Sequence, residues 1–238
     1  MTEVAVTTTG DLDAPGDARP SGSPSRNRFK TLTAQEARRA LYIDFEGQKD
    51  RAPVLLGILR RRGRADEPSA FQVVVDPDFE AAGPAMRELR RAIEIVVIRA
   101  ESGDRRIVSW SEHDLEVVQR LRAEDPELVA RFERRYANAL AVAKRWASKL
   151  HREDKPANGE LGGYLGMIGY AVPSVAGPGH VGDTIRALRP ALAAGRPLTS
   201  RQKARWSRLL SHNRHDCAGM RAVAVLATAE IEAAEAEE

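Results

Sequence analysis

Residues 41–47, with the sequence LYIDFEG, constrain the fold of this chain more than any other segment. Apolar residues alternate with polar or aromatic ones, a pattern that predicts a β-strand whose successive side chains point to opposite faces. Asp44 and Glu46 therefore project side by side from one face, with Cα atoms roughly 6–7 Å apart. Two carboxylates this close repel each other unless a cation lies between them or water reaches both.

The following segment indicates whether a cation or water is close to the two carboxylates. Residues 53–59 (PVLLGIL) are apolar on both faces, as expected of a strand that is covered on both sides. If the neighbouring strand is covered as well, Asp44 and Glu46 are partly buried and need a partner, and a metal ion suits two carboxylates. The alternative interpretation is a half-exposed strand with a solvated acidic face.

The order of the first elements predicts the fold class. Strands expected at 40–47, 53–60 and 70–76 are joined by short connections and should form an antiparallel meander. Pro84 opens a predicted helix from 85 to about 100, and residues 106–110 form a fourth strand. A strand reached through a helical crossover can pair parallel with the first strand. The β-β-β-α-β order therefore predicts an α/β protein with a mixed central sheet.

The second half of the chain is predicted to be mostly helical. A short fifth strand at 135–139 interrupts a series of helices, and Thr199 with Gln202 forms a capping box for the last and longest of them. The helices are expected at 111–121, 125–135, 140–150, 161–168, 183–194 and 200–229.

Composition limits the setting of the protein. The single cysteine, Cys217, fits a reducing compartment, and no apolar run is long enough to span a membrane, so we expect a cytoplasmic location. Residues 1–30 lack an apolar period and are predicted to be a disordered tail. Residues 230–238 form a predicted acidic tail, which leaves 31–229 as one domain. Net charge is +3, and because the last nine residues carry five glutamates and no Lys or Arg, the remainder carries +8, which suits a polyanionic partner.

Two further places carry acidic residues. Asp114 follows the fourth strand, where its simplest interpretation is structural, because Ser111 as N-cap and Asp114 three residues later form a capping box. His212 and Asp216 are four residues apart in the last helix and therefore share a face that is otherwise apolar. Their structural interpretation is an internal His–Asp pair.

Together these residues resemble a known active-site pattern. Asp-x-Glu on the first strand, an Asp after the fourth strand and an Asp on the last helix, over a β-β-β-α-β start, resemble the DEDD-type 3′–5′ exonucleases of the ribonuclease H-like superfamily. The closer likeness is to the predicted RNase H-like nucleases associated with RecB-like modules, whose last motif looks like Tyr-Asn-x-x-Asp. Residues 212–216 (HNRHD) stand in its place, and the resemblance covers residues 38–229.

The resemblance implies a ribonuclease H-like fold with a two-metal phosphodiesterase site. Asp44, Glu46, Asp114 and Asp216 would hold two Mg²⁺ or Mn²⁺ ions, and His212 would accept the proton of the attacking water. The implied substrate is a single-stranded DNA or RNA end. Association with a helicase or another repair protein is implied as well.

The connection at 60–64 (RRRGR) is a basic turn that contains Arg61, Arg62 and Arg64. One interpretation is a solvated hairpin tip. The other is a loop that contacts nucleic-acid phosphates without reading sequence.

Three alternatives to a 3′–5′ exonuclease stay open at this point. An endonuclease of the same fold would use the same carboxylates. A catalytically silent nucleic-acid-binding or adaptor domain would keep the fold and lose the site, although all four carboxylates are present here. In an ordinary α/β protein, every one of these acidic positions would be structural.

Overall fold

The computed structural model describes residues 31–48, 51–61, 68–82, 85–172 and 181–238. The predicted disordered tail at 1–30 lies outside the described residues, as do Arg62 and Arg64 of the basic turn. Arg61 is described in its backbone only.

A five-stranded mixed sheet forms the centre of the molecule, in the order β3-β2-β1-β4-β5. The first three strands pair antiparallel, whereas β4 runs parallel to both β1 and β5. This confirms the predicted α/β class, the meander and the parallel pairing of the fourth strand with the first. The strands are β1 (Leu41–Glu46), β2 (Leu55–Arg61), β3 (Pro68–Val74), β4 (Ile107–Ser109) and β5 (Tyr136–Asn138).

Helices flank the sheet and make up most of the second half of the described chain. The predicted capping box of Thr199 and Gln202 is present, and the helix that it opens is the longest of the described helices, with 38 residues. The helices are α1 (Ala34–Arg39), α2 (Leu89–Ser102), α3 (His113–Leu121), α4 (Pro126–Arg135), α5 (Ala139–Leu150), α6 (Leu161–Met167), α7 (Val181–Ala193) and α8 (Ser200–Glu237). Among the described helices, none has the length and apolar character that a membrane span requires.

The alternation in β1 divides its side chains between two buried layers. Leu41, Ile43 and Phe45 pack in one cluster with residues of α2, α3 and α4. Tyr42 lies on the other face, in a cluster with Cys217 and other residues of α8. Both faces of the first strand are therefore covered, and the half-exposed alternative for β1 is wrong.

Helix α2 begins later than predicted, at Leu89 instead of residue 85. The backbone on either side of Met86 bonds to β3, because the N–H of Val74 donates to the carbonyl of Ala85 (3.3 Å) and the N–H of Arg87 donates to Val74 (2.8 Å). This bridge keeps residues 85–87 extended, so the helix starts only after it.

The predicted end of the last helix at residue 229 is wrong, because α8 continues to Glu237, through the segment that was expected to be an acidic tail. Glu230 accepts hydrogen bonds from the indole of Trp146 (2.7 Å) and binds the ring of His151 (2.9 Å). The backbone N–H of Ala34 donates to Glu232 (2.8 Å), at the start of α1. These carboxylates join the end of α8 to α5 and α1, which is why the helix does not end at residue 229.

Candidate metal centre

The predicted acidic residues come together where α8 crosses one end of the sheet. Asp44 and Glu46 lie in the second half of β1, and Asp114 lies in the first turn of α3, just after β4. Because β1 and β4 are parallel, their carboxyl ends meet at the same edge. This edge is where α/β proteins place their ligand sites.

Glu46, His212 and Asp216 form the tightest group. One ligand atom from each lies within 4.8 Å of the others. Nε2 of His212 is 3.4 Å from Oδ2 of Asp216 and 4.0 Å from Oε1 of Glu46. The helical spacing that predicted a shared face for His212 and Asp216 therefore points both side chains at Glu46 on β1.

Asp44 is held by Asn213, which stands at the asparagine of the last motif but was assigned no role from the sequence. Asn213 is fully buried, and its Nδ2 donates to Oδ2 of Asp44 (2.8 Å) and to the backbone carbonyl of Asp44 (3.0 Å). Its Oδ1 accepts a hydrogen bond from Nε2 of Gln72 on β3 (2.8 Å). Asn213 therefore fixes the Asp44 carboxylate relative to the sheet.

Gly57 makes room for this asparagine. In the sheet, Gly57 pairs with Asp44 on one side and with Gln72 on the other. A Cβ atom on Gly57 would lie 2.1 Å from Oδ1 of Asn213, closer than any two such atoms can approach. The glycine is therefore required for Asn213 to reach both neighbouring strands.

Asp114 does not cap its helix as the capping-box interpretation expected. Its Oδ1 accepts a hydrogen bond from the backbone N–H of Phe45 on β1 (3.1 Å), and the residue is only 5% exposed. The Oγ of Ser111 accepts from the N–H of His113 instead (3.3 Å), and the N-cap position belongs to Glu112. Asp114 is therefore a buried carboxylate directed at β1.

Burial raises the pKa of all four acidic residues, and the charges of neighbouring carboxylates add to the shift at three of them, Glu46, Asp114 and Asp216. Burial, reinforced by the charge of Asp44, raises the pKa of Asp114 to about 8 and that of Asp216 to about 7. Burial and then the charges of Asp44 and Asp216 raise the pKa of Glu46 well above its usual range. Burial also raises the pKa of Asp44, against the hydrogen bond from Asn213. A nearby cation would reverse these shifts.

One atom of the group lacks a hydrogen-bond partner within the described part of the chain. Oε1 of Glu46 is buried and accepts no hydrogen bond, although the residue is only 7% exposed. A buried carboxylate oxygen without a partner is costly. Carboxylate oxygens are the donors that Mg²⁺ and Mn²⁺ prefer, so the residues fit a divalent cation.

The two histidines of the last motif differ in their surroundings. His212 faces Glu46 and Asp216, whereas Nδ1 of His215 is 3.5 Å from the hydroxyl of Tyr170. Burial and then the charge of Asp216 raise the pKa of Tyr170.

The described part of the basic turn ends at Arg61, at the other end of β2. Leu55, at the start of this strand, pairs with Glu46, and Arg61 ends the strand six residues later. At about 3.4 Å per residue, the backbone of Arg61 is roughly 20 Å from the acidic group. A nucleic-acid contact by Arg61, Arg62 or Arg64 stays a prediction.

Sequence reasoning assigned no role to Asn213, Gln72, Gly57 or Tyr170. The available signals concerned Asn213, which is a polar residue on the apolar face of the last helix and matches the asparagine of the Tyr-Asn-x-x-Asp motif. Comparisons with protein-family models, with curated proteins and with solved structures found no match for this chain.

Proposed function

We propose that this protein is a metal-dependent nuclease of the ribonuclease H-like fold that hydrolyses phosphodiester bonds, acting as a 3′–5′ exonuclease on single-stranded DNA or RNA. The observation that carries the proposal is the buried Oε1 of Glu46, which accepts no hydrogen bond from the described residues and lies in one group with Asp216 and His212. A buried carboxylate oxygen without a hydrogen-bond donor, beside acidic residues whose pKa values are raised, is typical of a cation site.

The fold supports the same proposal. The resemblance implies a meander of three antiparallel strands followed by strands parallel to the first, and the sheet has this arrangement. Asp114 follows the fourth strand and Asp216 lies on the last helix, as the resemblance implies.

Asp44, Glu46, Asp114 and Asp216 are the residues that would hold the ions. Two bound Mg²⁺ or Mn²⁺ ions would supply a more acidic water and neutralise charge on the phosphodiester. The chain itself keeps the carboxylates in place through the bonds of Asn213 to Asp44 and of Phe45 to Asp114.

His212 is placed to move the proton. Its Nε2 is part-buried between Glu46 and Asp216, so the ring borders the space where an attacking water would lie. A neutral imidazole at this position accepts the proton of that water at Nε2, as general bases do in hydrolysis. Asp216, 3.4 Å away, stabilises the resulting imidazolium.

The test is digestion of single-stranded DNA and RNA labelled at the 5′ end, with Mn²⁺ and with EDTA. We expect Mn²⁺-dependent shortening from the 3′ end, lost when that end is blocked. Cleavage of the blocked strand would indicate the endonuclease alternative. Asp216→Asn should abolish cleavage, whereas Asp154→Asn, which removes an exposed carboxylate from a loop, should not. A folded protein that binds Mn²⁺ but cleaves neither strand would overturn the nuclease assignment.

A further inference from the structure

We propose that a cavity beside the metal centre binds a phosphate group of a nucleotide, and that Arg51 and Arg120 recognise it. The cavity has a volume of about 190 Å³ and lies between the end of β1, the segment that follows it and helix α3. Glu46 lines it together with Arg51, His113 and Arg120. The inference rests on the proposed function, because it names a part of the substrate that this function would require.

Helix α3 presents two different faces to the site. His113, Val117 and Arg120 lie on one face at intervals of four and three residues, and all three line the cavity. Asp114 is directed instead at the backbone of β1. The same helix therefore contributes a carboxylate to the metal centre and a guanidinium to the cavity next to it.

The charge of the cavity favours an anion. Arg51 and Arg120 are both exposed, and within the described residues neither guanidinium forms an ion pair or a side-chain hydrogen bond. By contrast, most arginines of the neighbouring helices α2 and α4 have carboxylate partners, such as Arg131 with Glu101. Two exposed guanidinium groups beside one cavity are a suitable site for phosphate, which guanidinium binds through parallel hydrogen bonds.

The volume limits what can be enclosed. A cavity of about 190 Å³ corresponds to roughly six water molecules at about 30 Å³ each. Pockets that enclose a whole drug-sized ligand usually begin at about 300 Å³. The cavity therefore suits a phosphate with the adjoining sugar atoms, while the base lies outside it. Recognition of this kind is independent of sequence.

Glu46 links the cavity to the metal centre. Its carboxylate belongs to the group with His212 and Asp216 and also lines the cavity. Without a cation, this carboxylate would repel a phosphate in the cavity. We therefore expect phosphate binding to strengthen when Mn²⁺ is bound.

The experiment is a calorimetric titration of the full chain with deoxyadenosine 5′-monophosphate, inorganic phosphate or deoxyadenosine, each with and without Mn²⁺. We expect the monophosphate to bind and deoxyadenosine not to bind. Arg120→Gln and Arg51→Gln should each weaken monophosphate binding by about ten- to a hundredfold, the range for a hydrogen bond to a charged group. Arg38→Gln is the matched control, because Arg38 is exposed on α1, at the opposite end of β1. If inorganic phosphate binds with the same affinity as the monophosphate, the sugar makes no contact. The cavity is then a general anion site, and the proposal that it recognises a nucleotide is wrong.

The outcomes separate this inference from the proposed function. Titration of Mn²⁺ into the same variants reports on the metal centre, and thermal unfolding reports on the fold. If Mn²⁺ does not bind but the monophosphate binds and requires Arg51 and Arg120, the phosphate site is supported and the metal centre is contradicted. The proposed phosphate site is contradicted if the monophosphate does not bind, or if it binds with the same affinity as deoxyadenosine. It is also contradicted if both arginine variants bind the monophosphate with wild-type affinity.

Discussion

The side-chain amide of Asn213 lies directly over Gly57, in a position where a Cβ atom on the glycine would be 2.1 Å from Oδ1 of the asparagine. This contact lets one side chain of α8 span three strands, because Gly57 stands between Asp44 and Gln72 in the sheet. Asn213 bonds to both of those residues. The geometry of the metal centre therefore depends on a residue that has no side chain.

Gly57→Ala should displace Asn213 and release the Asp44 carboxylate. Asn213 is fully buried and has no space to retreat into, so we expect a loss of about 1–3 kcal/mol in the free energy of unfolding. Mn²⁺ binding should weaken in the same variant. Gly162→Ala is the control, because a Cβ atom there meets nothing within 4 Å in helix α6. Equal stability and Mn²⁺ affinity in the two variants would show that the Asn213 contact is unimportant.

Asp44→Asn should abolish Mn²⁺-dependent cleavage and leave the metal-free protein at least as stable as the wild type. The amide keeps an oxygen that can accept from Asn213 and removes a charge that raises the pKa of Glu46, Asp114 and Asp216. Thermal unfolding in EDTA and the cleavage assay measure the two effects. Full activity combined with a lower melting temperature would make Asp44 a structural residue.

The metal-free protein should lose stability as pH rises through the neutral range. The pKa of Asp114 is raised from 3.8 to about 8, and that of Asp216 from 3.8 to about 7. The folded state therefore holds these protons more tightly than the unfolded chain. Their contribution to stability is complete below about pH 4 and is lost by about pH 8 for Asp114 and about pH 7 for Asp216.

Denaturant titrations of the protein in EDTA between pH 5 and pH 8 test this dependence. Asp114→Asn keeps an acceptor for the N–H of Phe45 and should flatten the decline. Added Mn²⁺ should stabilise the wild type most at the upper end of the range, where the carboxylates are charged. A wild-type stability that rises over this range, and a variant with the same profile, would contradict the raised pKa values.

His212→Ala should lower turnover by about 10²–10⁴-fold, the usual contribution of a positioned base. His215→Ala should have little effect, because His215 contacts Tyr170 and not the carboxylate group. Turnover under saturating Mn²⁺ compares the two variants. If His212→Ala retains wild-type turnover, the imidazole only packs against Asp216 and another group accepts the proton.

Local patterns in the sequence were sufficient for much of the fold. Alternation in β1 gave its two faces, and the capping residues Thr199 and Gln202 gave the start of α8. The contact between Asn213 and Asp44 joins residues 169 positions apart, and no local pattern reports such a pairing. The role of Gly57 is hidden for the same reason, since it is required only once α8 is packed on the sheet.

The errors have a similar origin. The end of α8 lacks an apolar stripe and was predicted to be a tail, but its glutamates bind Trp146, His151 and the N-terminus of α1. Asp114 has the spacing of a capping box, but its carboxylate accepts a hydrogen bond from the backbone N–H of Phe45. In each case a partner distant in sequence determined the outcome.

The most direct test of the metal centre is the anomalous scattering of manganese in crystals grown with Mn²⁺. We predict manganese peaks within about 2.1 Å of carboxylate oxygens, the distance usual for Mg²⁺, with Glu46 and Asp216 among the ligands. Crystals of Asp216→Asn should show weaker peaks or none. A wild-type crystal at saturating Mn²⁺ with no peak at Glu46, or with manganese bound only elsewhere on the surface, would contradict the assignment.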